Sequence, residues 1–278
     1  MSTSSSSESN SIAIIGCGWL GTPLAHTLID QGFRVIATRS TPENVAELRS
    51  RGIDAIQLAL RPGLECGSLE SLRGIAIAMI LLAPGIRKGC ASQFSERISN
   101  LISGLKTVAI TQVIFASSTS VYPSDNREVD ESEAGPPDSD SGRILLEAEK
   151  RVVENSSIQA TVIRFAGLCG PGREPGRLLA GKDNLSGGDN PVNLIHQQDA
   201  IEVLVSLIEH RPWGRIFNAC APCHPAKSDL YPSAAKAMGL APPRFNQASA
   251  RYKRVRGDKI REQLGFVYRH PDPADWFW

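Results

Sequence analysis

The chain has 278 residues, of which 41% are hydrophobic, so it is long enough to bury the core of one large domain, alone or with a small lobe. Its 30 Lys and Arg residues nearly balance 29 Asp and Glu residues, and the formal net charge of +1 creates no long-range field for nucleic acid or anionic lipid. We therefore expect a globular protein with no nucleic-acid or membrane partner.

Residues 1–11 are polar and rich in Ser, without the basic-then-apolar order of a signal peptide, and no apolar run reaches the length that spans a bilayer. We predict a disordered tail on a cytoplasmic protein. The cysteines are scattered at positions 17, 66, 90, 169, 220 and 223, which predicts reduced thiols. Residues 220–224, CAPCH, match a haem-attachment or redox pattern, but they follow a strand-like segment, which favours structural or incidental cysteines.

The strongest motif is a glycine pattern, GCGWLG, between an apolar run at residues 12–15 and a helical pattern that ends at Gly32. Strand, glycine turn and helix in this order predict dinucleotide binding, with a glycine turn in an empty α/β domain as the alternative. One glycine allows the tight turn, the next lets a pyrophosphate approach, and the third lets helix pack on strand. The predicted cofactor contacts here are Gly16, Gly18, Trp19, Leu20 and Gly21.

The choice between NAD and NADP depends on the end of the second strand, predicted over residues 34–38. An NAD enzyme usually has an Asp or Glu there for the ribose 2′-hydroxyl, whereas this chain has Thr38, Arg39 and Ser40. A guanidinium and a hydroxyl suit a 2′-phosphate, and the next carboxylate, Glu43, fits a cap of the following helix. We predict NADP, with NAD as the alternative if Arg39 is only a solvated loop charge.

Strand and helix patterns then alternate, which predicts a Rossmann-type doubly wound parallel sheet in an NAD(P)-binding domain over residues 12–168. The apolar run at residues 75–82 reads as a strand covered on both faces, and Leu82, Ala83 and Pro84 at its end are predicted cofactor contacts. Residues 169–278 are less regular. We predict mainly a small substrate-binding lobe, with some elements returning to the main sheet.

Several strings resemble the extended short-chain dehydrogenase/reductases, a family that includes nucleotide-sugar epimerases and dehydratases. They are GCGWLG, SSTSVY at residues 117–122, RFAGLCGP at residues 164–171 and VNLIHQQDA at residues 192–200. Together with SGR, AGK, AGLCGPGREPGR and NACAPCHPA, these strings look most like the atypical YeeZ-like branch of that family. The resemblance implies a Rossmann-type NAD(P) domain and a small C-terminal substrate lobe.

The resemblance also implies a departure at the chemical centre. Active members of the wider family use a Ser or Thr that polarises the substrate carbonyl, which corresponds to Ser118, and a Tyr-x-x-x-Lys pair in the next helix. Here Ser139 stands where the tyrosine belongs and Arg143 where the lysine belongs. An alcohol is a much weaker acid than a phenol, and a guanidinium does not give up its proton, so ordinary tyrosine-based proton transfer is not expected. Tyr122 is a candidate acid, with structural packing as the alternative.

Further residues follow from the resemblance. Ser117, Phe165 and Ala166 correspond to segments beside the nicotinamide, and Arg143 would hold its ribose. The predicted substrate contacts are Arg173, Arg177, Lys182 and Asn193, which would suit an anionic ligand. His196 and Asp199 are interpreted as structural, and the sequence shows no metal-ligand spacing.

We therefore expect an NAD(P)-dependent oxidoreductase or an epimerase/dehydratase-like protein that acts on a small polar substrate, with nucleotide sugars as one candidate class. The alternative is a catalytically inactive protein that senses NADP(H). The sequence leaves open whether the chain is a monomer or a homodimer.

Overall fold

The computed structural model describes residues 10–60, 69–84, 93–133 and 135–276. The strands are β1 (Ser11–Ile15), β2 (Arg34–Arg39), β3 (Ala55–Gln57), β4 (Ile77–Ile80), β5 (Gln112–Ser118), β6 (Arg127–Val129), β7 (Gln159–Phe165), β8 (Gly167–Cys169), β9 (Leu194–His196), β10 (Ile216–Ala219) and β11 (Lys253–Val255). The α-helices are α1 (Gly21–Asp30), α2 (Pro42–Ser50), α3 (Phe94–Thr107), α4 (Asp140–Val153), α5 (Pro175–Leu178), α6 (Gln197–His210), α7 (Lys227–Ala237) and α8 (Asp258–Leu264).

The central sheet has seven strands in the order β10-β7-β5-β4-β1-β2-β3. Strand β1 pairs in parallel with both β2 and β4, so the chain order reverses between β1 and β4. In doubly wound sheets, ligands bind outside the carboxyl ends of the strands at such a switch point. The predicted Rossmann-type fold is confirmed, and it places the glycine turn after β1 at the expected binding edge.

Burial explains why the central strands are continuous apolar runs and do not alternate between apolar and polar residues. All five residues of β1 and all four residues of β4 are buried. Parallel strands covered on both faces need apolar side chains in both directions. Helix α3 in turn buries one side, with Phe94, Ile98 and Leu105 at most 3% exposed.

The chain forms two compact units. The first comprises Met1–Ser117, Arg143–Ile163 and Leu207–Ile216, and the second comprises Ser118–Gly142, Arg164–Ser206 and Phe217–Trp278. The domain boundaries expected from the sequence stay a prediction. Of the predicted tail, residues 1–9 lie outside the described residues, and Ser11 already belongs to β1.

The second unit contains two short parallel strand pairs that the sequence did not predict, β11 with β6 and β8 with β9. Its apolar cluster consists of Cys169, Val192, Leu194, Ala221, Leu230, Tyr231 and Trp276. Helix α5 approaches α7 so closely that a Cβ on Gly176 would lie 2.6 Å from the carbonyl oxygen of Ala234. Among the described residues, no helix has the length and apolar character needed to cross a bilayer.

Candidate dinucleotide-binding site

The glycine turn is tied to the end of β2 by backbone and side-chain hydrogen bonds. Gly16 N donates to Oγ1 of the buried Thr38 at 3.2 Å, and Cys17 N donates to the Thr38 carbonyl oxygen at 3.0 Å. Gly16 has a φ of +90°, and a Cβ there would lie 2.7 Å from Leu82 Cδ2. Because an L side chain is disfavoured on both counts, this position requires glycine.

Helix α1 begins without the features that usually neutralise a helix start. Its N-cap residue, Leu20, makes no side-chain cap hydrogen bond, and the first turn has no acidic residue. Helix α2 contrasts with it, because the Thr41 side chain accepts a hydrogen bond from Asn44 N and Glu43 lies in the first turn. An uncapped helix start presents N–H groups and a positive dipole end, which suits an anion such as a pyrophosphate.

Gly18 leaves open space above the turn. A Cβ on this residue would meet Arg39 Nη1 at 3.4 Å and Gly16 O at 4.0 Å, with no nearer heavy atom. Gly21 is different, since a Cβ there would press on Ile14 Cγ2 at 3.2 Å and Cys17 Sγ at 3.4 Å. These surroundings match the roles expected from the motif: ligand approach at the second glycine and helix-on-strand packing at the third.

Arg39 lies across the glycine turn. Its Nη1 donates to the Cys17 carbonyl oxygen at 2.8 Å. Within the described residues this is the only hydrogen bond of the guanidinium, so several N–H groups remain for a ligand. The Arg39 side chain thus links the end of β2 to the glycine turn after β1.

A crevice of about 500 Å³ opens at this edge of the sheet, a volume typical of ligand sites. Of the residues predicted as cofactor contacts, Gly16, Gly18, Arg39, Ser40, Leu82, Ala83 and Pro84 line it. The lining residues that sequence reasoning missed include Asn44, Leu58, Leu60, Phe94, Arg97 and Ile98. Most of the lining side chains are therefore apolar. Arg39, Arg97, Ser40 and Asn44 supply polar groups.

Ser117, at the carboxyl end of β5, carries a further unused polar group. The residue is 6% exposed, and its Oγ has no hydrogen-bond partner among the described residues. A buried hydroxyl without a partner is costly, so such a group at a sheet edge is typical of a ligand-binding position. Ser117 is not among the residues that line the crevice, so its contact with a cofactor stays a prediction.

In the second unit, the predicted serines both accept hydrogen bonds from the backbone that follows them. Ser118 Oγ accepts a hydrogen bond from Ser120 N at 3.1 Å, and Ser139 Oγ accepts one from Gly142 N at 3.1 Å at the start of α4. The two turns touch, because a Cβ on Gly142 would overlap the Ser120 carbonyl oxygen and lie 2.7 Å from Pro137 Cβ. Each hydroxyl keeps its own hydrogen for donation.

Tyr122 is fully buried, and its hydroxyl is held from two sides. It donates to Asn218 Oδ1 at 2.7 Å and accepts from Arg164 Nη1 at 2.9 Å. Burial raises the pKa of Tyr122 to about 12, although the Arg164 guanidinium lowers it in part. Asn218 also receives support from Glu131, whose Oε1 accepts from Asn218 N at 2.7 Å. This network favours packing over acid chemistry for Tyr122.

Sequence reasoning missed Arg164 and Asn218. Arg164 is 2% exposed in β7 and Asn218 is 0% exposed in β10. The available signal was a charged or amide residue inside an otherwise apolar strand, since buried polar groups require partners. Phe165 and Ala166, the predicted nicotinamide contacts, follow Arg164 and are likewise buried.

The predicted substrate residues do not share one environment. Arg177 Nε pairs with Glu174 at 2.9 Å, whereas Arg173 and Lys182 are exposed. The Asn193 amide is used inside the unit, since Nδ2 donates to Lys253 O at 2.9 Å and Oδ1 accepts from Val255 N at 2.8 Å. Arg143, in the first turn of α4, is exposed.

Two groups interpreted as structural have defined partners. Asp199 is fully buried and accepts hydrogen bonds from Arg269 N and His270 N at 2.8 and 3.0 Å, so it holds a neighbouring segment rather than capping its own helix. The His196 ring lies 3.9 Å from the His270 ring, centroid to centroid. The described residues contain no cluster of three or more side chains suited to a metal ion.

The cysteines that the structure describes are free thiols, at positions 17, 169, 220 and 223. Burial raises the pKa of Cys220 to about 12, which is opposite to what a reactive redox thiol needs. Cys66 and Cys90 lie outside the described residues.

Comparisons with known proteins agree with this architecture. Residues 11–134 match the family model described as the NAD binding domain of 6-phosphogluconate dehydrogenase. MoeE5 in complex with UDP-glucose and NAD superposes with a TM-score of 0.77 at 20% identity over 93% of each chain. UDP-N-acetylglucosamine 4-epimerase from Bacillus cereus also gives 0.77, at 15% identity over 95% of each chain.

The relationship in sequence is stronger with one curated protein. Protein YeeZ of Escherichia coli (strain K12) is 38% identical over 267 residues, which cover 94% of this chain and 97% of YeeZ. The resemblance expected from the glycine turn and the later strings is thereby confirmed. The chain has a Rossmann-type fold, which it shares with NAD-bound and epimerase structures, and it belongs to the YeeZ family.

Proposed function

We propose that this protein binds NADP(H) in the crevice and acts as an oxidoreductase or epimerase-like enzyme on a small polar substrate. The observation that carries the proposal is the convergence of the uncapped α1 start, the open face of Gly18 and the Arg39 guanidinium at one sheet edge. The glycine turn would seat the pyrophosphate and Ser117 would meet the nicotinamide half. When bound, the nicotinamide supplies hydride transfer.

The composition of the crevice supports NADP rather than NAD. The described lining contains Arg39, Ser40 and Arg97 but no carboxylate. A carboxylate at the end of β2 would accept from the ribose 2′-hydroxyl and repel a 2′-phosphate, whereas a guanidinium attracts that phosphate. NADPH should therefore bind more tightly than NADH.

The proposed chemistry uses serine hydroxyls and a guanidinium rather than a tyrosine and a lysine. Ser118 is partly exposed and keeps a hydrogen that it can donate to a substrate oxygen. Arg143 would hold the nicotinamide ribose by hydrogen bonds without changing its own protonation. Since Tyr122 is buried and doubly bonded, proton transfer would have to use another acid or solvent.

Nucleotide sugars are the substrate class that we propose to test first. Structural neighbours include MoeE5 with UDP-glucose and a UDP-N-acetylglucosamine 4-epimerase. Arg173 and Lys182 are exposed cations in the segment between α4 and α6, and they would suit the diphosphate of such a substrate.

A substrate screen tests the proposal. The purified protein would be incubated with NADPH or NADP⁺ and a panel of UDP-sugars and small carbonyl compounds, with cofactor absorbance and product epimers as readouts. We expect turnover that falls about 100-fold in Ser118→Ala and is unchanged in the exposed control Lys106→Ala. If Ser118→Ala turned over substrate as fast as the wild type, the role assigned to Ser118 would be contradicted. If no compound of the panel were turned over, the result would count against an enzymatic function.

A second candidate function is an NADP(H) sensor without chemistry. It is favoured because two candidate catalytic hydroxyls make hydrogen bonds within the protein. The Tyr122 hydroxyl is bonded to Arg164 and Asn218, and the Ser139 hydroxyl caps α4. The double variant Ser139→Tyr with Arg143→Lys separates the two. An inactive member of this fold should gain oxidoreductase activity, whereas an active atypical enzyme should lose or change its activity. A sensor should also show cofactor-dependent binding of a partner protein.

A further inference from the structure

Arg97 lines the same crevice as Arg39, although it comes from a different part of the chain. It lies in the first turns of α3, between Phe94 and Ile98, which also line the crevice. The glycine motif and the end of β2 give no indication of this residue. The sheet topology brings it to the binding edge, because α3 follows β4 at the switch point.

The Arg97 guanidinium has no acidic partner among the described residues. Its Nη2 donates to the neutral amide oxygen of Gln93 at 3.0 Å, four residues earlier. Two other helical arginines at this spacing pair with carboxylates, namely Arg51 with Glu47 and Arg151 with Glu147. No carboxylate lies within 4.0 Å of Arg97 in the described ranges, so its positive charge is not balanced locally.

One nitrogen of Arg97 is also buried without a partner. Its Nε has no hydrogen bond to any described residue, although water does not reach it. A buried N–H that is left unsatisfied costs about 1–3 kcal/mol, and the cost is larger for a charged group. A phosphate in the crevice would balance the charge and accept hydrogen bonds from the terminal N–H groups that Gln93 does not use.

We propose that Arg97 is a second phosphate-binding arginine of the cofactor site, which donates hydrogen bonds to a phosphate of the dinucleotide. This inference rests on the proposed cofactor function and extends it to a residue outside the recognised motif. The phosphate belongs either to the adenosine 2′ position or to the pyrophosphate. The two sources share one chemistry, and comparison of NADPH with NADH distinguishes them.

The test is equilibrium titration of NADPH and NADH into the wild type, Arg97→Gln, Arg97→Lys and Arg151→Gln. Arg151 is a matched control, because it is an exposed helical arginine that already pairs with Glu147. We expect Arg97→Gln to weaken NADPH binding at least about tenfold, Arg97→Lys to weaken it less, and Arg151→Gln to leave it unchanged. Thermal unfolding of each variant checks that it is folded. If Arg97→Gln is not folded, the comparison of the wild type with Arg97→Lys tests the proposal.

Each outcome has a defined meaning. A loss for NADPH alone assigns Arg97 to the 2′-phosphate, and an equal loss for both cofactors assigns it to the pyrophosphate. If wild-type binding is intact and neither Arg97 variant changes either affinity by more than about twofold, the inference is overturned while the proposed function stands. If the wild type binds neither dinucleotide, the proposed function itself fails.

Discussion

The Arg39 guanidinium donates through Nη1 to the carbonyl oxygen of Cys17 at 2.8 Å. The residue that would choose between NAD and NADP is therefore anchored on the turn that would hold the pyrophosphate. Gly16 completes this link, because its N–H donates to Thr38 Oγ1, one residue before Arg39. Substitutions in the turn and at the end of β2 should consequently affect the same binding event.

Gly18→Ala should weaken dinucleotide binding while the fold is kept. The added methyl group would meet only Arg39 Nη1 at 3.4 Å and Gly16 O at 4.0 Å, so we expect the free energy of unfolding to change by less than about 1 kcal/mol. The same methyl group would occupy the space through which a pyrophosphate approaches, and affinity should fall at least about tenfold. Titration with NADPH and urea denaturation measure the two effects.

Gly16→Ala is the contrasting variant in the same turn. Its backbone has a φ of +90°, and the new Cβ would lie 2.7 Å from Leu82 Cδ2 and 3.0 Å from Leu81 O. We expect a loss of about 1–3 kcal/mol in the free energy of unfolding. If Gly16→Ala proved as stable as Gly18→Ala, the described shape of the turn would be wrong.

Gly142→Ala should destabilise the second unit by about 2 kcal/mol or more, because a Cβ would overlap the Ser120 carbonyl oxygen. Neither backbone can move without disturbing the turn that Ser118 caps or the start of α4 that Ser139 caps. Urea denaturation is the measurement, with Gly239→Ala as a control whose Cβ would meet nothing within 4 Å but whose φ is +68°. A smaller loss in Gly142→Ala than in the control would contradict the close approach.

Tyr122→Phe tests whether this phenol is structural. The change would remove the donor to Asn218 Oδ1 and one of the two acceptors of Arg164 Nη1, so we expect a loss of about 1–3 kcal/mol in the free energy of unfolding. The partly exposed Tyr252 provides a control, Tyr252→Phe, which should change stability by less than about 0.5 kcal/mol. An unchanged stability with lost turnover would instead identify Tyr122 as the acid.

His196 predicts a pH dependence of stability. Burial, together with the neighbouring His270, lowers the pKa of His196 from its ordinary value to about 4. As the pH falls below about 6.5, the imidazole protonates in the unfolded chain but not in the folded one, so stability is lost down to about pH 4. Urea midpoints at pH 7 and pH 5 should therefore differ more in the wild type than in His196→Gln. If the midpoints shifted equally in the wild type and in His196→Gln, His196 would not be the cause of the pH dependence.

Local patterns predicted the parts of the site that lie at one strand end and the turn after it. The glycine spacing identified Gly16, Gly18 and Gly21, and the apolar run of β4 placed Leu82 to Pro84 at the binding edge. Parallel strands bring their carboxyl ends to one side of a sheet, so Gly16, Gly18 and Leu82 to Pro84 line one crevice. That they contact a cofactor stays a prediction.

The remaining site residues come together only in the tertiary structure. Leu58 follows β3 and Arg97 belongs to α3, and no local pattern connects either of them to the glycine turn. The β6–β11 pair was missed for a similar reason, since each strand has three residues and the two lie far apart in sequence. Tyr122 was recognised in the sequence, but its contacts with Arg164 and Asn218 join segments that lie far apart along the chain.

We propose above all that the crevice beside Arg39 binds NADP(H). Equilibrium titration of NADPH and NADH into the wild type and Arg39→Ala tests it most directly. The structure predicts tighter binding of NADPH than of NADH, and a loss of at least about tenfold for NADPH in Arg39→Ala, with a smaller loss for NADH. Binding of neither dinucleotide to the folded wild-type protein would contradict the claim and leave the glycine turn as architecture alone.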